Sequence, residues 1–188
     1  LGNGTVIHVP SLFEELEPLT ADGLSWEGRL LLSDRAHLLF DMHQAVDGHQ
    51  EEGRGSKNIG TTKKGIGPAY ATKANRNSIR VGMLKHFDVF ETQLRDLLDY
   101  QHNLYGVPVD IEGEVDKYKK YAEILSPWIV DGVHFINKAY DEGKSIIAEG
   151  ANAVMLDLDY GTYPFVTSST TSVGGMCTGL GLSPNKIE

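Results

Sequence analysis

The sequence predicts an α/β fold with a mostly parallel central sheet and a helical insertion over residues 88–142. Short β-branched or apolar segments at residues 5–9, 29–32 and 145–149 indicate strands. Glycine and polar residues directly follow residues 145–149, which is where α/β sheets place their ligands. Helical periodicity dominates from residue 88 to residue 142. With 188 residues, of which 40% are hydrophobic, the chain can bury the core of one domain.

The first elements are a strand and a helix. Residues 5–9 form a β-branched strand segment that Pro10 ends. Ser11 then caps a short helix through Leu16, with Glu14 three residues later in a capping-box pattern. Residues 29–32 indicate either a buried strand or a short helical turn.

A second helix is predicted from a cap at Ser33 or Asp34 to about Gln50. Its apolar residues fall on one face, namely Leu38, Leu39, Met42 and Val46. Residues 51–70 contain five glycines and little apolar periodicity, so we expect a loop of a length that usually has a function. Pro68 then starts a short helix through Asn75.

Residues 88–142 contain three amphipathic helical segments. The first begins at Asp88 and ends before Gly106, and the others span residues 113–125 and 131–140. Their charges are typical of solvated helix faces, so we assign this stretch no chemistry. A strand over residues 145–149 follows and ends at Gly150.

The charge distribution favours a small anionic ligand. The net charge is −9, yet residues 54–85 carry eight basic and no acidic side chains, which leaves nine basic and 26 acidic residues elsewhere. Sequence-independent nucleic-acid binding requires a broad positive face, so this distribution argues against it. The alternative is a solvated basic loop without a ligand.

Several other classes are disfavoured. No apolar run approaches the length of a membrane span. The single cysteine, Cys177, excludes an internal disulfide and suits a reducing compartment. The seven histidines match no metal-binding spacing, and we interpret His37, His43 and His49 as surface or satisfied interior groups.

Residues 60–68, Gly-Thr-Thr-Lys-Lys-Gly-Ile-Gly-Pro, form the first candidate site. Three glycines allow close approach of the backbone, and threonine hydroxyls and backbone N–H groups can donate to phosphate oxygens. Lys63 and Lys64 add positive potential. The pattern differs from the Walker loop because no Gly-Lys-Ser/Thr follows it.

Two further segments could contact a ligand. Asn152, directly after Glu149-Gly-Ala, can offer a donor and an acceptor to a heterocyclic base. Asp157 and Asp159 could form a carboxylate pair, although we favour turn and cap chemistry for them. The hydroxyl run, residues 166–172, precedes a glycine-rich segment and suits a phosphate or a helix N-terminus.

Together these motifs resemble the adenylosuccinate synthetase family of the eukaryotic kind. The motifs are Gly2-Asn-Gly4, residues 58–70, Glu149-Gly-Ala-Asn-Ala153 and Gly161-Thr-Tyr-Pro-Phe-Val-Thr-Ser-Ser169, in this order. The resemblance runs from Gly2 to about Pro184 and is weakest over residues 88–142.

The resemblance implies a function and four site residues. Members of the family use GTP and Mg²⁺ to join IMP and L-aspartate into adenylosuccinate. By this resemblance Thr62 and Thr167 contact the 5′-phosphate of IMP, and Asn152 holds the hypoxanthine region. Arg76 reaches the IMP bound by the partner subunit, so we expect a cytoplasmic homodimer without nucleic-acid or membrane partners.

The sequence departs from the family in two respects. Thr170 stands where the family usually has Asn. The family chain is more than twice as long, and its phosphate-binding loop, catalytic residues, magnesium ligands and guanine- and aspartate-binding parts would lie outside residues 1–188. We therefore expect the middle part of a single α/β enzyme domain, inactive by itself. The alternatives are a non-catalytic nucleotide-binding fragment and an association module.

Overall fold

The computed structural model describes residues 1–187, and its strands pair in parallel. Strand β1 (Val6–His8) pairs with β3 (His37–Leu39), in register from Val6 with His37 to His8 with Leu39. Strand β2 (Leu32–Ser33) pairs with β4 (Ile129–Val130). The predicted α/β class and parallel pairing are confirmed. Among the described residues the strands form two separate pairs.

Within residues 1–187 there are seven α-helices: α1 (Val9–Ala21), α2 (Asp41–Arg54), α3 (Ile66–Ala74), α4 (Phe87–Tyr105), α5 (Ile111–Leu125), α6 (Gly132–Asp141) and α7 (Val173–Leu180). Local sequence sets several of their ends. Asp110 and Asp131 cap α5 and α6, because their carboxylates accept the N–H groups of Gly113 and His134. Gly106 ends α4 in a left-handed conformation.

The core consists of residues between Ile7 and Ile129. At its centre the rings of Phe40, Phe90 and Tyr118 are fully buried, and the centroids of Phe40 and Tyr118 lie 4.9 Å apart. The Tyr118 hydroxyl donates to the Leu39 carbonyl at 3.3 Å, so its polar group is satisfied. Helices α4 and α5 thus pack onto the start of α2. That residues 88–142 are an insertion stays a prediction.

Two predicted helices have different boundaries. Helix α1 begins at Val9 rather than Ser11, since Pro10 is tolerated in a first helical turn, and it continues to Ala21. The helix predicted from Ser33 or Asp34 was wrong in its first part, because residues 37–39 form β3 and α2 starts only at Asp41. A short apolar run cannot be assigned by periodicity when every residue in it is buried.

The strand predicted over residues 145–149 was also wrong. The structure gives this segment no regular secondary structure, and Ile147 is 95% exposed. A strand requires a hydrogen-bonding neighbour, and no described residue provides one here. Separately, no helix within residues 1–187 combines the length and apolarity needed to cross a bilayer.

Candidate functional site

The glycine loop, residues 60–65, rests on α2 through the carboxylate of Glu51. Oε1 of this buried side chain accepts the N–H groups of Gly60 at 2.6 Å and Thr61 at 3.3 Å. Its Oε2 accepts a hydrogen bond from Nη1 of Arg54 at 3.0 Å. Two of the amides that the sequence offered to a phosphate are therefore held by the protein's own carboxylate.

The ionisation of Glu51 follows from these contacts. Burial by itself raises the pKa of a carboxyl group. The hydrogen bonds from Gly60, Arg54 and Thr61 outweigh burial, so the pKa of Glu51 is lowered. Glu51 is consequently ionised at neutral pH and accepts charge-assisted hydrogen bonds.

The other end of the glycine loop is fixed by Asp47, one helical turn before Glu51. Its Oδ2 accepts the Gly65 N–H at 2.9 Å. Gly65 has a φ of +78°, and a Cβ there would lie 2.7 Å from the His43 carbonyl carbon and the Gln44 nitrogen. Only glycine suits this position, because it allows both the backbone conformation and the close approach to α2.

His43 joins α2 to α3. The Phe40 N–H donates to His43 Nδ1 at 2.9 Å, which leaves the ring proton on Nε2, 3.3 Å from the Thr72 hydroxyl oxygen. That hydroxyl in turn donates to the Ala69 carbonyl at 2.8 Å. Burial, and then nearby His8, lower the pKa of His43 to about 4. The interpretation of His43 as a satisfied interior group is confirmed.

Asp157 organises the second region of the site, and the prediction of turn and cap chemistry is confirmed for it. Its Oδ1 accepts the N–H groups of Asp159 and Tyr160, and its Oδ2 accepts those of Thr171 and Ser172. The Thr171 hydroxyl lies 3.3 Å from the same Oδ2. Asp159 is exposed, so the alternative of a carboxylate pair has no support.

These hydrogen bonds lower the pKa of Asp157. The Asp159 N–H contributes most, and burial opposes it. The N–H groups of Thr171, Tyr160 and Ser172 lower the pKa further, to about 2. The ionised carboxylate thus connects the turn after residue 157 to the end of the hydroxyl run.

The hydroxyl run lies beside the first turn of α3. Ser168 Oγ is 3.4 Å from the position that a Cβ on Gly67 would take, so the Ser168 side chain lies close to the backbone of Gly67. The Tyr70 hydroxyl donates to the Gly4 carbonyl at 2.6 Å, which brings the first residues of the chain to the same place. The glycine loop leads directly into this turn, so two of the motifs meet at the start of α3.

The four predicted IMP-binding residues lie in separate segments, of which the glycine loop and the hydroxyl run meet at the start of α3. Thr62 is exposed at the apex of the glycine loop, between the fixed positions 60–61 and 65. Thr167 is half-buried in the hydroxyl run, and its N–H donates to the Leu156 carbonyl at 2.9 Å. Asn152 is exposed and precedes Ala153, whose carbonyl accepts the hydroxyl of Thr171.

Arg76 lies at the opposite end of α3. It is exposed, two residues beyond the helix, with a φ of +64°. At a rise of 1.5 Å per residue, α3 is about 12 Å long from Ile66 to Ala74, and Arg76 lies past its far end. The structure therefore separates Arg76 from the place where the glycine loop and the hydroxyl run meet.

Sequence reasoning did not identify Asp47 and Glu51 as residues of this site. Their spacing of four residues places both carboxylates on one face of a helix. That spacing, in a helix shortly before a glycine-rich loop, is the signal that could have indicated them. Which loop amides they accept depends on the packing of α2 against the loop.

The resemblance implies a magnesium ion whose protein ligands lie outside this segment. Among residues 1–187 no group of three or more His, Cys, Asp or Glu side chains is arranged to hold a metal ion. The carboxylates nearest the candidate site accept backbone N–H groups instead. These residues do not form a magnesium site, so we assign the ion no ligand and no step here.

Two relatives of this chain are named adenylosuccinate synthetases. The chain is 54% identical to adenylosuccinate synthetase 1 of Laccaria bicolor and 52% identical to the chloroplastic adenylosuccinate synthetase of Ostreococcus tauri. Each comparison includes all of this chain, but only 44% and 39% of the respective relative. The chain thus spans less than half the length of these relatives.

Two solved structures also match this chain. The fully ligated adenylosuccinate synthetase of Plasmodium falciparum matches with a TM-score of 0.94 and 47% identity, over all of this chain and 44% of that chain. The succinoaminodeoxyadenylate synthetase of cyanophage S-2L, bound to dGMP and dATP, matches with a TM-score of 0.59 at 21% identity, over 99% of this chain and 41% of that chain. The latter likeness concerns the fold alone.

The adenylosuccinate synthetase family model matches residues 1–188. The chain belongs to the adenylosuccinate synthetase family.

Proposed function

We propose that the full-length protein joins IMP and L-aspartate into adenylosuccinate at the expense of GTP, and that this segment supplies IMP-binding residues. One structural observation supports this role beyond family membership. The glycine loop and the hydroxyl run, from distant parts of the sequence, meet at the start of α3. Hydroxyls, lysines and backbone N–H groups are the donors that a phosphate monoester requires.

The proposed reaction depends on activating a poor leaving group. GTP transfers its γ-phosphoryl group to O6 of IMP as N1 of the base loses its proton, which gives GDP and a 6-phosphoryl intermediate. The amino nitrogen of aspartate then attacks C6 as the C6–O6 bond breaks, and inorganic phosphate leaves with the oxygen. The nitrogen loses a proton, and the C–N bond of adenylosuccinate is complete. A phosphate leaves readily where a ring oxygen does not.

The segment's contribution is to hold and orient IMP. We assign the Thr62 and Thr167 hydroxyls to the 5′-phosphate, because their segments meet at the start of α3. The Asn152 amide is assigned to the base, since it can donate and accept at once. Fixing IMP in this way would lower the entropic cost of both chemical steps.

The proposal includes a homodimer in which Arg76 reaches the partner's IMP. Arg76 is exposed and lies past the far end of α3, whereas the glycine loop and the hydroxyl run of the same chain meet at the start of that helix. Both facts support this assignment. A guanidinium can contact a phosphate through two parallel hydrogen bonds. Thr170, where the family usually has Asn, is an exposed residue of the hydroxyl run, and nothing in the structure explains the difference.

GTP and aspartate belong to the proposal as substrates of the full-length protein. A magnesium ion would accompany GTP, with protein ligands from outside residues 1–187, and we derive no step from it. The proposal also places the protein in the cytoplasm. Chloroplastic relatives occur in Ostreococcus tauri, Capsicum frutescens and Sorghum bicolor, so location varies within the family.

A second candidate is a non-catalytic fragment that associates through exposed apolar side chains. Large apolar side chains between residues 147 and 165 are exposed, including Ile147, Met155, Tyr160 and Tyr163. Light scattering of residues 1–188, with and without IMP, tests this candidate. Association that is independent of IMP would support it, and a monodisperse species that binds IMP would contradict it.

The enzyme proposal is tested by product formation. Full-length protein with IMP, aspartate, GTP and Mg²⁺ should yield adenylosuccinate, and omission of any substrate should abolish it. Failure of the complete mixture would contradict the proposal.

The shared site is tested by mixing subunits. Arg76→Ala should weaken IMP binding by about 2 kcal/mol in calorimetry, through loss of a charge-assisted contact. Mixing these subunits with Asn152→Ala subunits should restore part of the activity, because some mixed dimers regain one intact site. The absence of recovery would contradict the shared site.

A further inference from the structure

We infer that Asp47 and Glu51 of α2 are positioning residues that hold the glycine loop in its IMP-binding conformation. We call these two side chains the two-point clamp. Glu51 fixes the backbone at Gly60 and Thr61, and Asp47 fixes it at Gly65. The inference rests on the proposed function, since it specifies how the loop that carries Thr62 is prepared for a phosphate.

The clamp fits the loop because of helix geometry. Residues 47 and 51 are four apart, so they lie about 6 Å apart along α2 on the same face. Each is buried, at 5% and 7% exposure, although carboxylates rarely are. A buried carboxylate must be satisfied by donors, and backbone N–H groups of the glycine loop supply them.

The apex between the two fixed points consists of Thr62, Lys63 and Lys64. All three are exposed and lie in the part of the loop that the clamp does not hold directly. With both ends fixed, the apex has fewer conformations to lose when a ligand binds, and this reduces the entropic cost of binding. Without the clamp, binding would have to order residues 60–65 as well.

The charge arrangement is consistent with this role. Negative carboxylates beneath a phosphate site would repel the ligand if their charge were uncompensated. Glu51 is paired with Arg54 at 3.0 Å, and its Oε1 is directed at two backbone N–H dipoles. The clamp therefore organises an anion site at a reduced electrostatic cost.

The adjacent residue Glu52 provides a matched control. It carries the same charge on the same helix and also contacts the loop, through an exposed ion pair with Lys63 at 3.1 Å. It accepts no loop N–H group in the structure. Such exposed pairs contribute little. Glu51 differs from Glu52 in that it is buried beneath the loop backbone, where it accepts loop N–H groups and pairs with Arg54.

The test compares Glu51→Ala, Glu51→Gln and Glu52→Ala in the full-length protein. We expect Glu51→Ala to raise the KM for IMP about tenfold or more, with the KM for GTP within about twofold of wild type. The KM for IMP of Glu51→Gln should lie between those of wild type and Glu51→Ala, because the amide oxygen can still accept hydrogen bonds from the loop N–H groups. Glu52→Ala should leave both KM values within about twofold.

Hydrogen exchange of the Gly60 and Thr61 amides gives a second readout that activity does not influence. These amides should be protected in wild type and in Glu52→Ala, and should exchange about tenfold or more faster in Glu51→Ala. Protection retained in Glu51→Ala, or KM values for IMP and GTP raised equally, would overturn the inference. Wild-type protein that binds no IMP would instead overturn the proposed function, and the exchange result would still decide the clamp.

Discussion

The two regions that form the candidate site are held in place by different means. The glycine loop lies against α2, whose Met42 and Val46 belong to a core of apolar side chains between Ile7 and Ile129. From residue 145 to residue 187, only Asp157 and Leu182 are buried. The second region therefore depends chiefly on hydrogen bonds, above all those of Asp157. The glycine loop is also held by carboxylates, but these stand on a helix that is packed into the apolar core. Loops at one ligand site can thus respond to quite different perturbations.

The first prediction perturbs the packed region. Phe90→Ala removes a fully buried ring beside Phe40 and Tyr118, and we expect the free energy of unfolding to fall by about 3–5 kcal/mol. Urea denaturation of the full-length protein measures this change. Leu104→Ala on the same helix is the control, because that side chain is 54% exposed. Equal losses for the two variants would refute the assignment of the core.

The second prediction removes the carboxylate that holds the other region. In Asp157→Ala four backbone N–H groups lose their acceptor. We expect faster hydrogen exchange at residues 159–172 and an IMP affinity about tenfold weaker or more, with the core amides of α4 unchanged. Asp99→Asn, on the exposed side of α4, controls for the lost charge. Exchange that increases equally throughout the protein would show that the two regions are not held independently.

The third prediction compares two glycines of the same loop. Both Gly60 and Gly65 have positive φ, but only Gly65 lies against the backbone of α2. Gly65→Ala should cost about 2–4 kcal/mol in stability, since strain and a steric clash add together. Gly60→Ala should cost about 1 kcal/mol, from strain alone. Thermal denaturation tests the order, and a larger loss at Gly60 would contradict the described packing.

The fourth prediction concerns pH and the packed region. The folded pKa of His43 is lowered to about 4 from 6.5, chiefly by burial. Its contribution to stability is complete above about pH 6.5 and is lost as the pH falls towards 4, because the unfolded chain binds the proton first. The loss should be about 3 kcal/mol, since the two pKa values differ by about 2.5 units and each unit corresponds to about 1.4 kcal/mol.

A variant isolates this effect. In His43→Asn the amide oxygen can still accept the Phe40 N–H, but the side chain does not titrate. The decline in stability between pH 6.5 and 4 should therefore be shallower in the variant, as measured by urea denaturation at each pH. An unchanged slope would show that His43 is not the group responsible. His37, whose pKa is also lowered to about 4 by burial and then by Lys73 and Arg80, accounts for part of the remaining slope.

Much of this architecture is predictable from local sequence patterns, and the failures have a common cause. Helices α4, α5 and α6 follow from apolar periodicity and from caps such as Asp110 and Asp131, which act within a few residues. Strand β3 and residues 145–149 were assigned wrongly, because strand formation depends on partners distant in sequence.

In the candidate site, too, the sequence indicates local features but not contacts between distant segments. The glycine loop and the hydroxyl run are recognisable by composition, since phosphate sites favour particular residue types. Their meeting at the start of α3 depends on a long-range contact, that of Ser168 with Gly67. The support from Asp47 and Glu51 was missed for the same reason, because a buried acid and a surface acid look alike in a sequence.

The central claim is that the glycine loop and the hydroxyl run act on one phosphate, and a double-mutant cycle tests it most directly. Calorimetry would measure IMP binding to full-length wild type, Thr62→Val, Thr167→Val and the double variant. We expect each single variant to weaken binding and the two effects to be coupled by about 1 kcal/mol, because both hydroxyls contact the same ligand group. Strictly additive effects, or unchanged affinity in both single variants, would contradict the account.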